Sequence, residues 1–388
     1  MFSNLQAAMW MIGVLLVVMM LVMTVTLVIK ARKVWFKKKE ASILAEYNDY
    51  LDYVQLQLDE EERLRTPLKP LGSLEKKVLQ KELLQWVDRL DGMHRRKLLQ
   101  LCDDLGLIEF NMQRLKSPFS LTKIDAAYYL GALRTGKATP NLFSLLYKTK
   151  FDSSVYILAR SIVQTAKDPS EVSEALRFLI DNGKQQAQLI ADISKETPLD
   201  LRELYTRFLE ESNPSYIEVG LIGLQDQVEL DLSERVHRFM ESENRDIRQA
   251  AANLLIHSMD LTDEDVEYYL QFPDWEVRKL FAEWIGSAEL IQYTNLLRKS
   301  LNDTNWIVAR TSGQSLIKLG EGGFEVLCEV AGRLDQHHGT AIAKELVEEE
   351  LKHSIDQAHS LEDITTYNQK VFVYQKFIGE NASLTRVM

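Results

Sequence analysis

The sequence predicts an all-α protein, in which one apolar membrane-spanning helix is followed by an α-solenoid of helix pairs. Three observations carry that prediction. Among 388 residues there are only 17 Gly and 8 Pro, whereas the good helix formers Leu, Ala, Glu, Lys and Gln are plentiful. A run of 23 uncharged residues lies near the start of the chain. A small residue also recurs roughly every 30 positions from Ala127 to Ala343.

The elements follow in order. After a short segment, 1–6, residues 7–29 read "AAMWMIGVLLVVMMLVMTVTLVI"; as a helix they reach roughly 35 Å, enough to cross a bilayer. A cleavable signal peptide would place positive charge before the apolar run, use a shorter core and follow it with a small-residue cleavage site. None of these is present. Residues 30–39, "KARKVWFKKK", carry six cations: Lys30, Arg32, Lys33, Lys37, Lys38 and Lys39. Basic residues resist translocation, so the expected topology is single-pass in the cell membrane, with the N-terminus outside and all that follows Lys30 in the cytoplasm. Trp10 and Trp35 fall near the two ends of the span, where amphipathic rings favour the interface. The basic run reads as a stop-transfer signal that also lies against anionic lipid head groups.

The net charge of −11 hides an asymmetry: with those six cations set aside, the chain from Glu40 onward stands at about −17. Such a body repels phosphate backbones, so nucleic acid is not an expected partner. Two cysteines, Cys102 and Cys328, lie far apart in unrelated contexts and suggest neither a disulfide framework nor a zinc site.

Residues 40–65 are expected to form an amphipathic connecting helix. Its apolar positions Leu44, Tyr47, Leu51, Val54 and Leu58 make a heptad seam of barely two heptads. Packing of this stripe on the following domain is the primary expectation, and weak self-association through residues 44–58 the secondary one. "TPLKPLG", residues 66–72, then acts as a linker, since two prolines and a glycine cannot continue a helix.

The repeat occupies residues 73–360, with 361–388 as a C-terminal cap and tail. "NRDIRQAAANLL" (244–255), "DWEVRKLFAEWI" (274–285) and "NWIVARTSGQSL" (305–316) each begin with a helix-starting polar residue and place a β-branched residue three positions on. Each later shows a small residue three before an aliphatic one. Taking the small residue as register mark, the copies give Ala127, Ala159, Gly220, Ala252, Ala282, Gly313 and Ala343, with gaps of 32, 61, 32, 30, 31 and 30. A further copy is expected within residues 185–194, where the sequence leaves the register open. Between the marks sit second amphipathic segments such as "SEVSEALRFLID" and "DLRELYTRFLEE", so each unit is two helices and about seven or eight units stack. Pro118, Pro140, Pro169, Pro198, Pro214 and Pro273 all fall between the expected helices.

The period and the D-x-x-V-R followed by A-x-x-L pattern resemble the HEAT and HEAT-like repeat family, best matched by Asp274, Val277, Arg278, Ala282 and Ile285. "NWIVARTSGQSL" departs from it, with Arg310 two positions after Val308 rather than next to it. The resemblance implies that acidic and basic positions at the turns bond between neighbouring repeats. Asp274 with Arg248, Arg278 and Arg310 would then form a structural ladder. Trp275 and Trp306 would be packing between repeats.

No cofactor or metal site is expected. Glu350 with His353 and Asp356 with His359 are carboxylate–histidine pairs at i, i+3 spacing, but they lie about 240° apart around a helix and read as a solvated surface; His337 and His338 precede them. "GEGG" at 320–323 follows a helix and reads as a turn rather than a phosphate loop. "NAS" at 381–383 matches a glycosylation acceptor but falls on the expected cytoplasmic side. The function so implied is a membrane-anchored scaffold, not an enzyme, that binds and positions protein partners through basic patches on those partners, as an accessory subunit of a membrane enzyme or transport complex. A tethered HEAT-like enzyme, metal-dependent or lyase-type, is the alternative.

Overall fold

A computed structural model of the chain describes residues 2–183, 186–225, 233–258, 261–333, 338–356 and 359–379. These residues form helices and turns, with no β-strand among them. The chain divides into two compact units, Met1–Leu179 and Ile180–Met388.

In the first unit, α1 (Phe2–Glu46) is one unbroken helix of 45 residues, roughly 68 Å at 1.5 Å per residue. The apolar run, the basic segment and the start of the connecting segment are therefore a single rod. Nothing between residues 29 and 40 breaks it, because Lys and Arg are good helix formers and no Gly or Pro intervenes. The helix yields only at Tyr47, where ψ opens to 10°, and α2 (Asn48–Gln57) follows. The expected helix over 40–65 thus stops at Gln57. After the C-cap Leu58, Asp59 to Glu62 are all acidic, and four carboxylates at a helix C-terminus oppose the macrodipole.

The apolar seam packs where the primary expectation put it. Ile43 and Tyr47 are buried against Val78 and Leu79 of α3 (Ser73–Arg89), with Leu44 and Leu51 partly covered beside them. Lys81 holds Glu40 at 2.7 Å across the same junction. The unit continues through α4 (Gly92–Asp104), α5 (Leu107–Arg114), α6 (Ser120–Ala132), α7 (Thr139–Leu146), α8 (Ser153–Thr165) and the start of α9 (Pro169–Asn182). Buried Gln80 accepts from Asn111 Nδ2 at 2.8 Å, and Thr139 Oγ1 donates to the Thr165 carbonyl at 3.1 Å.

The second unit holds α10 (Ala187–Ser194), α11 (Arg202–Phe208), α12 (Pro214–Leu224), α13 (Ser233–Met240), α14 (Arg245–Ser258), α15 (Asp263–Tyr269) and α16 (Trp275–Ser287). After a single 3₁₀ turn come α17 (Thr294–Ser300), α18 (Trp306–Lys318), α19 (Glu321–Ala331), α20 (His338–Asp356) and α21 (Leu361–Ile378). The principal contacts join helices one or two places apart: α10 with α12, α12 with α14, α14 with α16, α16 with α18, and α18 with α20. The second helices touch the first helix of the next pair, as α13 does α14 and α17 does α18. Residues 361–378, expected as cap and tail, are a full helix packed on α19 and α20, with Tyr367, Val371 and Tyr374 buried. Residues 380–388, including "NAS" at 381–383, lie outside the described residues.

Side-chain caps start the repeated helices. Asp152, Asn213, Asp274 and Asn305 each accept from a backbone N–H two residues on, and so does Asn244, filling a donor that the helix end leaves unpaired. Of the prolines, Pro169 and Pro214 are first residues of helices and Pro140 sits in the first turn of α7, where a missing N–H costs nothing.

The five alanine register marks, Ala127, Ala159, Ala252, Ala282 and Ala343, are all fully buried, and Gly220 and Gly313 are buried with them. The missing copy is legible in α10: Ala191, fully buried, divides the 61-residue gap into 32 and 29. What the small residues permit is close approach. A Cβ placed on Gly286 of α16 would lie 2.6 Å from Ser315 Cα of α18, and one on Gly131 of α6 would lie 2.8 Å from Ser161 Cα of α8. Both glycines stand four residues after a register mark. Gly286→Val should therefore cost about 1–3 kcal/mol of stability through overpacking, measured by denaturant unfolding of the detergent-solubilised chain. Gly322→Ala, in a helix with open space around it, should leave stability unchanged or raise it by up to about 1 kcal/mol.

Candidate functional site: the repeat turns and the anchor helix

In α14 the guanidinium of Arg248 does two things at once. Its Nη1 donates to the Ser242 and Glu243 carbonyls at 2.7 and 3.0 Å, closing its own turn. Its Nε and Nη2 donate to Asp274 Oδ2 at 2.9 and 2.5 Å, reaching the next turn. Arg278 of α16 uses its guanidinium in the same way, with Nε and Nη2 spread over both oxygens of Asp303. Its Nη1 meets the Phe272 and Pro273 carbonyls at 2.6 and 3.0 Å, and its other nitrogens meet Asp303 at 2.6 and 2.8 Å. The Arg278–Asp303 side chains are only 12% and 9% exposed, so this pair is bidentate and largely dry. Asp274 also caps α16 by accepting from the Glu276 amide at 2.9 Å. Burial pushes its carboxyl up, but that amide and the Arg248 guanidinium outweigh it and hold the group below the usual carboxylate range.

Arg310 sits elsewhere. The position equivalent to Arg248 and Arg278 in α18 is Ala309, and Arg310, one residue further round the helix, bonds Glu345 and Glu349 in the middle of α20 at 2.8 Å each. It links neighbouring helices without closing a turn. Among the residues unremarked in the sequence, Asp303 completes the second rung and Glu276 is the other: Glu276 is buried and held by Arg245 and by Gln249 Nε2, the latter at 2.6 Å. An acidic residue about 25 positions after each turn arginine is the signal that locates Asp303.

The tryptophans divide. Trp275 is half-buried, lining an open groove of about 570 Å³ with Met240, Glu241, Arg245 and Phe272. Trp306, expected as packing, is 58% exposed. It stands two residues, or about 200°, from Val308, away from the buried face marked by Val308, Ser312 and Ser315; Trp275 has the same offset from Val277 but gains cover from Met240 and Phe272 across its groove. The aromatic contacts inside the stack are made instead by Phe281, stacked on Tyr269 at 4.7 Å and edge-on to half-buried Trp284.

The histidine motifs come apart in the structure. Glu350 accepts from Lys370 Nζ at 2.6 Å and from Ser354 Oγ at 3.2 Å, while His353, Asp356 and His359 are exposed; His337 lies outside the described residues. Among the described residues no three His, Cys, Asp or Glu side chains gather as a metal site would need. The two thiols are buried, and burial pushes Cys102 and Cys328 up to about 12.

Along α1 the apolar side chains from Trp10 to Ile29 are uncovered, Trp10 being 78% exposed, and none of the most apolar stretch is buried. The helix is therefore not the core helix of a soluble body. Lys30, Arg32, Lys33, Lys37, Lys38 and Lys39 are all exposed beyond it. Arg32 lies 5.7 Å from the Phe36 ring centre, and Trp35 is exposed.

No family model and no curated protein matches the chain. Among solved structures, two crystal structures of engineered proteins from the Northeast Structural Genomics Consortium are similar. One is 14% identical, covers 85% of this chain and 99% of its own, and has a TM-score of 0.30. The other is 14% identical, covers 84% and 97%, and has a TM-score of 0.15.

Arg278→Ala leaves Asp303 charged and under-bonded, and should cost about 3 kcal/mol, seen as a fall of about 6–12 °C in Tm. Trp306→Ala should leave Tm within about 1 °C, because an exposed ring stabilises little. The depressed Asp274 carboxyl contributes stability above its unfolded pKa of about 3.9 and loses it as pH falls through the folded value. Asp274→Asn should therefore lower stability at neutral pH and flatten the loss on acidification below about pH 4, followed by unfolding at a series of pH values.

Proposed function

We propose that the chain is a single-pass membrane protein whose body is an array of HEAT-like helix pairs that binds and positions protein partners at the cytoplasmic face. The observation that carries this reading is the anchor helix: an apolar stretch of bilayer length that the body leaves wholly uncovered, continuous with a basic segment and then with residues packed on α3. Apolar surface of that extent is costly in water, and the flanking cations favour a cytoplasmic location for everything after Lys30. Because α1 does not break between the two, the helix would hold the start of the first unit, at α3, at a short distance from the bilayer. Trp10 and Trp35 sit at the two interfaces in this topology, and the six cations meet anionic head groups.

The scaffold reading is supported by how the conspicuous charges of the second unit are used. Arg248, Arg278, Arg310 and Glu350 are each engaged in holding helices together, which suits a platform for partners. Helix-pair arrays offer extended surfaces for this purpose.

Topology and scaffolding can be checked separately. Both native thiols are buried and poorly reactive, so Leu68→Cys, at a fully exposed linker position, should resist a membrane-impermeant thiol reagent in intact cells and react after permeabilisation; labelling in intact cells would reverse the orientation. Cross-linking in native membranes should recover stoichiometric partners, with His353→Ala leaving recovery unchanged. Loss of a chemical activity on His353→Ala with partner recovery intact would favour the tethered enzyme.

A further inference from the structure

Residues 105–151 run against the charge of the rest of the body. They carry seven basic side chains and two acidic ones, Glu109 and Asp125, in a chain that stands at about −17 from Glu40 onward. Asp125 is taken by Arg114. Lys116, Lys123 and Lys148 meanwhile line one groove of about 420 Å³ built by α5, α6 and α7 and the turns beside them. None of these three ammonium groups has an ion-pair or hydrogen-bond partner among the described residues, and the one carboxylate in the lining is Glu109.

Lys123 is the telling member. It is half-buried and stands in the first turn of α6, at the positive end of the helix dipole, where a cation is unfavourable. Lys116 and Lys148 line the same groove, with Glu109 the one carboxylate among them. An anion in the groove would relieve all three. Between the lysines lie Met112, Leu115 and Leu145, each half-buried, so the groove offers apolar contact as well as charge. The exposed amides of Gln113 and Asn141 border it and can pair with an extended backbone.

We infer that this groove binds an acidic peptide segment of a partner protein, its carboxylates on Lys116, Lys123 and Lys148 and its apolar side chains on Met112, Leu115 and Leu145. The inference rests on the scaffold reading and sharpens it, because the acidity of the whole chain suggests a basic partner while this groove selects the opposite sign. A bilayer surface is a plane and would meet exposed cations rather than a recess with an apolar lining. A single-stranded nucleic acid would call for aromatic platforms, and no aromatic residue lines the groove.

The test uses the full chain in detergent micelles and a short fluorescent peptide alternating glutamate with leucine, with a lysine–leucine counterpart as control. The acidic peptide should bind, and the basic one should not bind in a way that depends on Lys116, Lys123 and Lys148. The triple variant Lys116→Glu, Lys123→Glu, Lys148→Glu should weaken binding about tenfold or more with no fall in Tm, and a Lys→Gln triple variant gives the same reading should charge reversal disturb folding. Equal affinity in the folded variants, or no binding of the acidic peptide by the native chain, would overturn the inference. So would phosphatidylserine vesicles, and not the peptide, losing binding on substitution. Partners cross-linked in membranes equally by native and variant chains, with the peptide test negative, would remove the groove and leave the scaffold reading standing; a positive peptide test with no cross-linked partner would do the reverse.

Discussion

Where α16 meets α18, the missing side chain at Gly286 lets one helix lie against the backbone of the next at Ser315, and the same substitution of nothing for a methyl brings α6 onto α8 at Gly131 and Ser161. This close approach between first helices of successive pairs is the constraint from which the remaining packing follows. Once those axes are near, the register marks must be small, and they are buried Ala or Gly at every copy. The second helices then fill the space left beside them, as Leu301 and Leu327 do around Gly313. Interiors packed at this density feel a single added carbon.

The polar contacts obey the same reach. Arg248 with Asp274, Arg278 with Asp303, Tyr293 with Asp263 and Lys299 with Glu267 join residues 25–32 positions apart. These four each tie one helix to another about one small-residue period away, while Arg310 reaches further, 35 and 39 positions, to Glu345 and Glu349. Apolar burial supplies most of the stabilisation, and the turn arginines add direction, because a bidentate guanidinium that also holds two carbonyls fixes the angle between successive turns. Trp306 and the lysine groove lie outside these contacts.

Much of this was legible in the residues, for identifiable reasons. The apolar run, the small-residue period and the prolines are one-dimensional signals; the prolines, expected between helices, divide between turns and the first turns of helices at Pro140, Pro169 and Pro214. The copy in α10 was hidden because Ala191 sits in a helix of only eight residues with no Val-Arg pair. The earlier copies look loose for a related reason: cap and register mark are seven residues apart at Asp152 and Asn213 but eight at Asn244, Asp274 and Asn305. Asp303 was missed because it stands two residues before a cap, whereas Asp274 is itself the cap. Trp306 was misplaced because sequence spacing equates it with Trp275, while only a three-dimensional view shows which side of the turn has a neighbour. The basic excess over residues 105–151 marks the region in the sequence, but the groove draws on three helices, so no spacing shows that Lys116, Lys123 and Lys148 share it.

The apolar helix and the packed helices of the first unit meet in the stretch from α1 to α3, where a charged, continuous helix passes into packed contacts at Ile43 and Tyr47. The packing of the second unit depends on one claim above others, that each helix is held by helices one or two places away in the chain. Zero-length carbodiimide cross-linking of the native chain, mapped by mass spectrometry within residues 180–388, tests it most directly. The account predicts links at separations of about one repeat, such as Lys299 with Glu267. Abundant links between residues 202–211 and residues 344–376 in the monomer would contradict it.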